Sequence, residues 1–172
     1  MGRRSGHVGQ FPESRHDADH GEYRDRSTNN FGKDTMIESG LLNRDLAALL
    51  AKMGHGDQFL VCDAGFAIPE GLPVVDLSVA VNIPTVDVVL TEILKFFSVE
   101  KVIFAQEQRD SCPAKLARLI ALFEAPIELQ TVSHVELKQR SQVVKGVIRT
   151  GDFSAFTNLI LVSGAGDRWI TE

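Results

Sequence analysis

The residues of this chain that could do chemistry are few. His55 follows Gly54 where a helical pattern ends, and Asp57 comes two residues later. An imidazole just past a helix end is accessible, and its ordinary pKa near 6.5 suits proton transfer at neutral pH. The same position also suits a surface histidine that caps helix carbonyls. Asp63 opens Asp63-Ala64-Gly65 where an apolar run gives out. There it could orient His55 or accept hydrogen bonds from a polar ligand, or merely form the turn before a glycine. Asp57 reads as a turn residue or N–H acceptor. His134 and Lys138 are four apart and share one helix face. A helix N-terminus beside His134 would lower its pKa and keep it neutral. Together the pair could grip hydroxyls, or lie on an exposed helix face. Asn158, after Ser154-Ala155-Phe156-Thr157, offers an amide to a polar ligand or to a turn.

The elements that must position these groups can be read from periodicity. In Leu42–Met53, Asn43 is a good N-cap, and Leu46, Leu49, Leu50 and Met53 form one apolar stripe. Gly54 ends that helix. Gln58–Cys62 is a short apolar run suited to a buried strand, which puts Asp63 at its carboxyl end, where open α/β sheets collect ligands. Leu72–Val81 is a short apolar segment broken by Pro73 and Asp76. Asn82 and Pro84 announce a helix with Val86, Val89, Leu90, Ile93, Leu94 and Phe97 on its stripe. Lys101–Ala105 is a second strand, ending in the polar pair Gln106-Glu107. Ser111 and Pro113 start a helix faced by Leu116, Leu119, Ile120 and Phe123. Ile127–Val132 is a strand, and Ser133-His134-Val135-Glu136 is a capping box. Val143–Arg149 and Asn158–Ser163 complete the strands around a Gly151 turn. The alternation predicts a three-layer, Rossmann-like α/β sandwich with a largely parallel central sheet flanked by helices.

Composition narrows the function classes. The 172 residues suffice for one domain with a proper core. Hydrophobic residues are 44% and charged residues 24%, as in an ordinary globular protein. The net charge of −5, with no basic patch, argues against nucleic acid and anionic membrane as partners. Two cysteines make no disulfide framework, and Cys62 inside a strand pattern is a buried, inert thiol rather than a nucleophile. No apolar run spans a bilayer, and no secretory h-region follows the N-terminal arginines, so a cytoplasmic location is expected. Ser163-Gly164-Ala165-Gly166 ends a strand with no helix after it and fails the dinucleotide test; no phosphate-cradling loop appears. A nucleotide-binding module is therefore a poor reading.

Residues 1–35 stand apart. They carry scattered charges, few aliphatics and no periodicity, and are expected to be disordered. His16-Asp17-Ala18-Asp19-His20 could hold a metal loosely, but nothing fixes a geometry and no metal site is assigned. This segment is an extension, an expression remnant or a start placed too early; the folded domain is expected to be 36–172.

In combination, several segments carry a resemblance. Leu42-Asn43, Asp45, Gly54-His55, Asp57, Asp63-Ala64-Gly65 and Ile68-Pro69 are joined by His134 and Lys138. Arg149-Thr150-Gly151-Asp152 and Asn158-Leu159-Ile160-Leu161 close the pattern. From Met36 onward the chain resembles the ribose pyranase and L-fucose mutarotase family. That resemblance implies a cytoplasmic isomerase of sugar metabolism that interconverts pyranose and furanose forms of free D-ribose and feeds ribokinase. It implies no metal or nucleotide cofactor, and a ring-like homo-oligomer, commonly a decamer, with sites near subunit boundaries. It implies His55 as catalytic residue, with Asp63, His134, Lys138, Phe156 and Asn158 binding substrate. The family's usual closing triplet is Tyr-Ala-Asn, where this chain has Phe156-Thr157-Asn158, so one hydroxyl is missing and the sugar's identity is left open. An L-fucose-type mutarotase and a non-catalytic sugar-binding oligomer are the alternatives.

Overall fold

Asn43 caps the first helix as its type predicts: its side chain accepts a hydrogen bond from the Leu46 N–H at 2.9 Å. In this computed structural model, which describes residues 39–123 and 127–166 together with Gly2, helix α1 spans Arg44–Ala51. Leu46, Leu49 and Leu50 on its stripe are buried. Strand β1 is Gln58–Cys62, followed by the short β2, Val74–Asp76. Helix α2 runs Val86–Leu94 behind the N-cap position Thr85, with Val86, Val89, Leu90 and Ile93 buried. Strand β3, Val99–Ala105, leads directly into α3, Gln106–Ser111, and α4, Pro113–Ile120, starts on its proline. Strand β4 is Glu128–Val132 and α5 is His134–Arg140. After a 3-10 turn at Ser141–Val143 come β5, Val147–Arg149, and β6, Leu159–Ser163.

The six strands form one sheet in the order β2-β5-β1-β6-β3-β4. The β2–β5, β5–β1 and β3–β4 pairs are parallel, as the alternation predicts, while β6 runs antiparallel between β1 and β3. The reversal follows from the connection. Residues 150–158 contain no helix, and a parallel return needs a crossover of about a dozen residues or more.

Side-chain alternation along the strands divides the core into two layers. Phe59, Val61, Val102, Phe104, Leu159 and Leu161 face α1, α2 and α4. Leu60, Cys62, Ile103 and Ile160 face the other way, against Leu137 of α5 and Phe66. Helices thus cover both faces, α1, α2 and α4 on one and α5 on the other.

Three local expectations change. Ser111 does not start α4 but ends α3, and Cys112 stands at the α4 N-cap. Gln106-Glu107 is not a loose strand end but the first turn of α3, whose all-polar sequence has no apolar stripe to betray it. The segment Val143–Arg149 is strand only over its last three residues. The expectation of disorder for 1–35 lies outside the described residues. Among those described, no helix is long and apolar enough to cross a membrane.

Candidate functional site

Asp63 sits where β1 ends, and the antiparallel β6 begins beside it: Val61 pairs with Leu159, which sets Asn158 across from Cys62 and within reach of Asp63, the next residue. The two residues interlock. The Asp63 N–H donates to Asn158 Oδ1, and Asn158 Nδ2 donates to Asp63 Oδ2, each at 3.0 Å. The Gly65 N–H donates to the other carboxylate oxygen at 2.9 Å. Asn158 is almost wholly buried. Burial raises the Asp63 pKa despite the bonds from Gly65 and Asn158, and the neighbouring Asp152 carboxylate adds to the rise.

His134 reaches the same edge because β4 is parallel to β3, and α5 starts at the strand's end. Ser133 caps this helix through the Glu136 N–H at 3.1 Å, as the capping box predicts. The His134 N–H donates to Glu107 Oε2 at 2.8 Å, which gives the first turn of α3 a purpose. The imidazole lies edge-on to two rings, Phe156 at 5.0 Å and Phe66 at 6.1 Å between centroids. Its Nε2 is buried and has no protein partner. The His134 pKa is lowered, in the expected direction but for another reason: burial comes first and the Lys138 charge second, while Glu107 and Asp63 oppose them. Lys138 itself is exposed. Phe156 has φ near +59°, an uncommon conformation for a side-chain-bearing residue, and its loop presents the ring to His134.

The Arg149-Thr150-Gly151-Asp152 segment builds the floor of this site. Arg149 Nη1 donates to Asp76 Oδ2 and Ser78 Oγ, and Nη2 to the Ala64 carbonyl at 2.9 Å. The Thr150 hydroxyl donates to the Cys62 carbonyl. A Cβ on Gly151 would stand 2.4 Å from the Ala80 carbonyl oxygen, so only glycine fits. Asp152 is fully buried and accepts from the Val86 and Ser154 N–H groups and from Lys115 Nζ. Burial alone would raise its pKa, but Lys115 and these N–H groups outweigh that and lower it. A recess of about 280 Å³ opens between Asp63, Gly65, Arg149, Asp152 and Phe153. Cys62, beneath it, is inert as expected, its thiol pushed up to about 12 by burial.

His55 is elsewhere. It precedes β1, whereas Asp63 follows it, and the five-residue strand between them spans about 13 Å. The expected orientation of His55 by Asp63 is therefore not met within one chain. Instead His55 Nε2 pairs with Glu100 Oε2 at 2.8 Å on an exposed surface. Asp57 is the N–H acceptor of this turn: its carboxylate takes the Gly54 N–H at 2.7 Å and Lys145 Nζ at 2.5 Å. The structure thus gathers Asp63, His134, Phe156 and Asn158, with Lys138 acting through its charge, and sets His55 apart. Sequence reasoning singled out neither Glu107 nor Asp152 as a site residue. The signal for Asp152 was its place in the closing motif; Glu107 had none beyond its strand-end position. Among the described residues, no three His, Cys, Asp or Glu side chains converge as metal ligands would.

Residues 36–166 match the model of the RbsD / FucU transport protein family. A D-ribose pyranase of Streptococcus agalactiae is 42% identical over 129 residues, covering 75% of this chain and 98% of that protein. A D-ribose pyranase of Chromobacterium violaceum is also 42% identical, with the same coverage of both chains. Among solved structures, Bacillus subtilis RbsD complexed with D-ribose matches with a TM-score of 0.72 at 36% identity, over 76% of this chain and 99% of that one. The fucose mutarotase of Streptococcus pneumoniae in complex with L-fucose shares the fold, with a TM-score of 0.62 at 19% identity, over 72% and 94% of the two chains.

Proposed function

We propose that this chain, which belongs to the RbsD / FucU transport protein family, is an isomerase interconverting the pyranose and furanose forms of free D-ribose. The observation that carries this reading is the unpartnered, buried Nε2 of His134 in the same site as the desolvated Asp63. A buried polar atom without a partner is costly, and a sugar hydroxyl would satisfy it. The flanking Phe66 and Phe156 rings suit the apolar face of a sugar. Asp63 and His134 hold hydroxyls, Asn158 holds Asp63 in place, and Lys138 contributes charge from the rim.

A cyclic sugar is a hemiacetal. Opening it puts a proton on the ring oxygen and removes one from the anomeric hydroxyl; reclosure through another hydroxyl exchanges pyranose for furanose. His55 donates the proton to the ring oxygen and takes one back from the hydroxyl that recloses. One such group is worth about 10²–10⁴-fold in rate, and no metal or other cofactor takes part.

Because His55 and Asp63 lie at opposite ends of β1, the His55 that serves a given pocket comes from a second copy of the chain. The ring-like homo-oligomer, a decamer in this reading, is supported by an apolar patch at the pocket mouth. Val79, Val81, Ile83 and Phe153 are exposed there, and the Phe153 N–H donates to Asn82 Oδ1. The enzyme works in the cytoplasm on free monosaccharide, ahead of ribokinase, and 36–172 is its sugar-handling domain, a boundary supported by the family match over 36–166.

Comparing sugars tests the substrate. NMR exchange rates are measured for pyranose–furanose exchange of D-ribose and for anomer exchange of L-fucose, at matched protein concentration. Acceleration of ribose exchange well above that of fucose supports the assignment. Acceleration of fucose alone would make the chain a mutarotase, and sugar binding without acceleration of either would make it a binding protein.

A further inference from the structure

The geometry points to Glu100 as the positioning residue that orients the His55 imidazole and decides which of its nitrogens meets the sugar. This rests on the proposed role of His55 in ring opening. His55 Nε2 and Glu100 Oε2 are 2.8 Å apart, and both side chains are substantially exposed, 58% and 44%. An exposed pair of this kind contributes little to stability. The backbone around it, however, is built to bring the two together.

Strand β3 pairs Val99 with Ser163 and then Lys101 with Val162, so Glu100 is the extra residue of a β-bulge. A bulge leaves its extra residue out of the ladder and re-aims its side chain. The bulge is closely packed: a Cβ on Gly164 would lie 3.1 Å from the Glu100 nitrogen and 3.2 Å from its Cβ. The Gly164 N–H donates to the Ser98 carbonyl at 2.9 Å. Ser163 holds the histidine turn as well. The Gly56 N–H donates to the Ser163 carbonyl, and the Ser163 N–H to the Asp57 carbonyl, both at 2.8 Å. One residue of β6 therefore anchors the bulge on one side and the His55 turn on the other. Lys101, the nearest cation along the strand, is engaged with Glu128 at 2.9 Å and leaves Glu100 to His55.

With Nε2–H donated to Glu100, Nδ1 is the nitrogen that exchanges protons with substrate. Protonated Nδ1 gives its proton to the ring oxygen as the bond from that oxygen to the anomeric carbon breaks. The carbonyl forms as the anomeric hydroxyl releases its proton to water. On reclosure the attacking hydroxyl gives its proton to Nδ1, and the carbonyl oxygen regains one from water. The carboxylate fixes the ring and the tautomer, as carboxylates do for histidines in other acid–base sites.

The test combines kinetics and NMR on the full chain, for wild type, Glu100→Ala, Glu100→Gln, His55→Ala and the Glu100→Ala/His55→Ala double variant. Glu100→Ala is expected to lower kcat for ribose exchange about 10–100-fold with KM nearly unchanged. Glu100→Gln, which still accepts from Nε2–H, is expected to recover part of the loss, and the double variant to be no slower than His55→Ala. Long-range nitrogen–proton spectra are expected to place the neutral His55 proton on Nε2 in wild type and to show a tautomer mixture in Glu100→Ala. A wild-type kcat in Glu100→Ala, or a further loss in the His55→Ala background, would overturn the proposal. If His55→Ala kept full activity, the reading of His55 would fail instead. The nitrogen spectra would then decide Glu100 alone, and identical His55 spectra in wild type and Glu100→Ala would overturn its role.

Discussion

Asp63 and Asn158 close a ring of two hydrogen bonds, main chain to side chain and side chain to side chain, each 3.0 Å long. One N–H of the Asn158 amide goes to the neighbouring carboxylate, and its second N–H has no partner in this pair. This fixes both Asp63 oxygens, since Gly65 holds the second. Truncating Asn158 to alanine leaves a buried N–H without an acceptor. Asn158→Ala is expected to lose about 1–3 kcal/mol of stability in urea unfolding and most of the ribose affinity.

His134 sets a pH dependence. Its folded pKa lies below the ordinary 6.5 because burial, and then the Lys138 charge, disfavour the imidazolium. The unfolded chain therefore takes up that proton first as the solution is acidified. His134 contributes stability above about pH 6.5 that is lost as pH falls through the lower folded value. Denaturation at a series of pH values is expected to show this slope in wild type and to lose it in His134→Gln.

Phe156 stands where the family resemblance leads one to expect tyrosine, with its ring already 5.0 Å from His134. Restoring the hydroxyl changes no packing inside the ring's outline. Phe156→Tyr is expected to tighten ribose binding about threefold to tenfold in a calorimetric titration, the worth of one added hydrogen bond.

Lys115 neutralises a carboxylate that has no access to solvent. Asp152 is fully buried, and its lowered pKa depends on Lys115 and the Val86 and Ser154 N–H groups overcoming the burial penalty. Its stabilising contribution is present above about pH 4 and is lost as pH falls through the lower folded value. Lys115→Met leaves the charge unpaired and is expected to cost roughly 3–5 kcal/mol at neutral pH, read from the unfolding midpoint.

Much of this was legible in residue order. The spacing of Leu46, Leu49 and Leu50 and the Asn43 cap place α1, and Val86, Val89, Leu90 and Ile93 place α2. The apolar run to Cys62 places Asp63 at a strand end. The direction of β6 was not legible, because an apolar run reads alike either way and only the short connection before it forces the reversal. That reversal is what brings Asn158 to Asp63, so their partnership was hidden with it. Glu100 was hidden for a related reason: strand alternation says nothing about a bulge, and the contact with His55 joins residues far apart in sequence.

The most direct test of the account is NMR saturation transfer between the ring forms of D-ribose, with the intact protein and with His55→Ala run beside it. The account predicts pyranose–furanose exchange well above the buffer rate, falling by about 10²-fold or more in the variant. Exchange at the buffer rate with wild-type protein would contradict the isomerase assignment, and full acceleration by the variant would remove His55 from the mechanism.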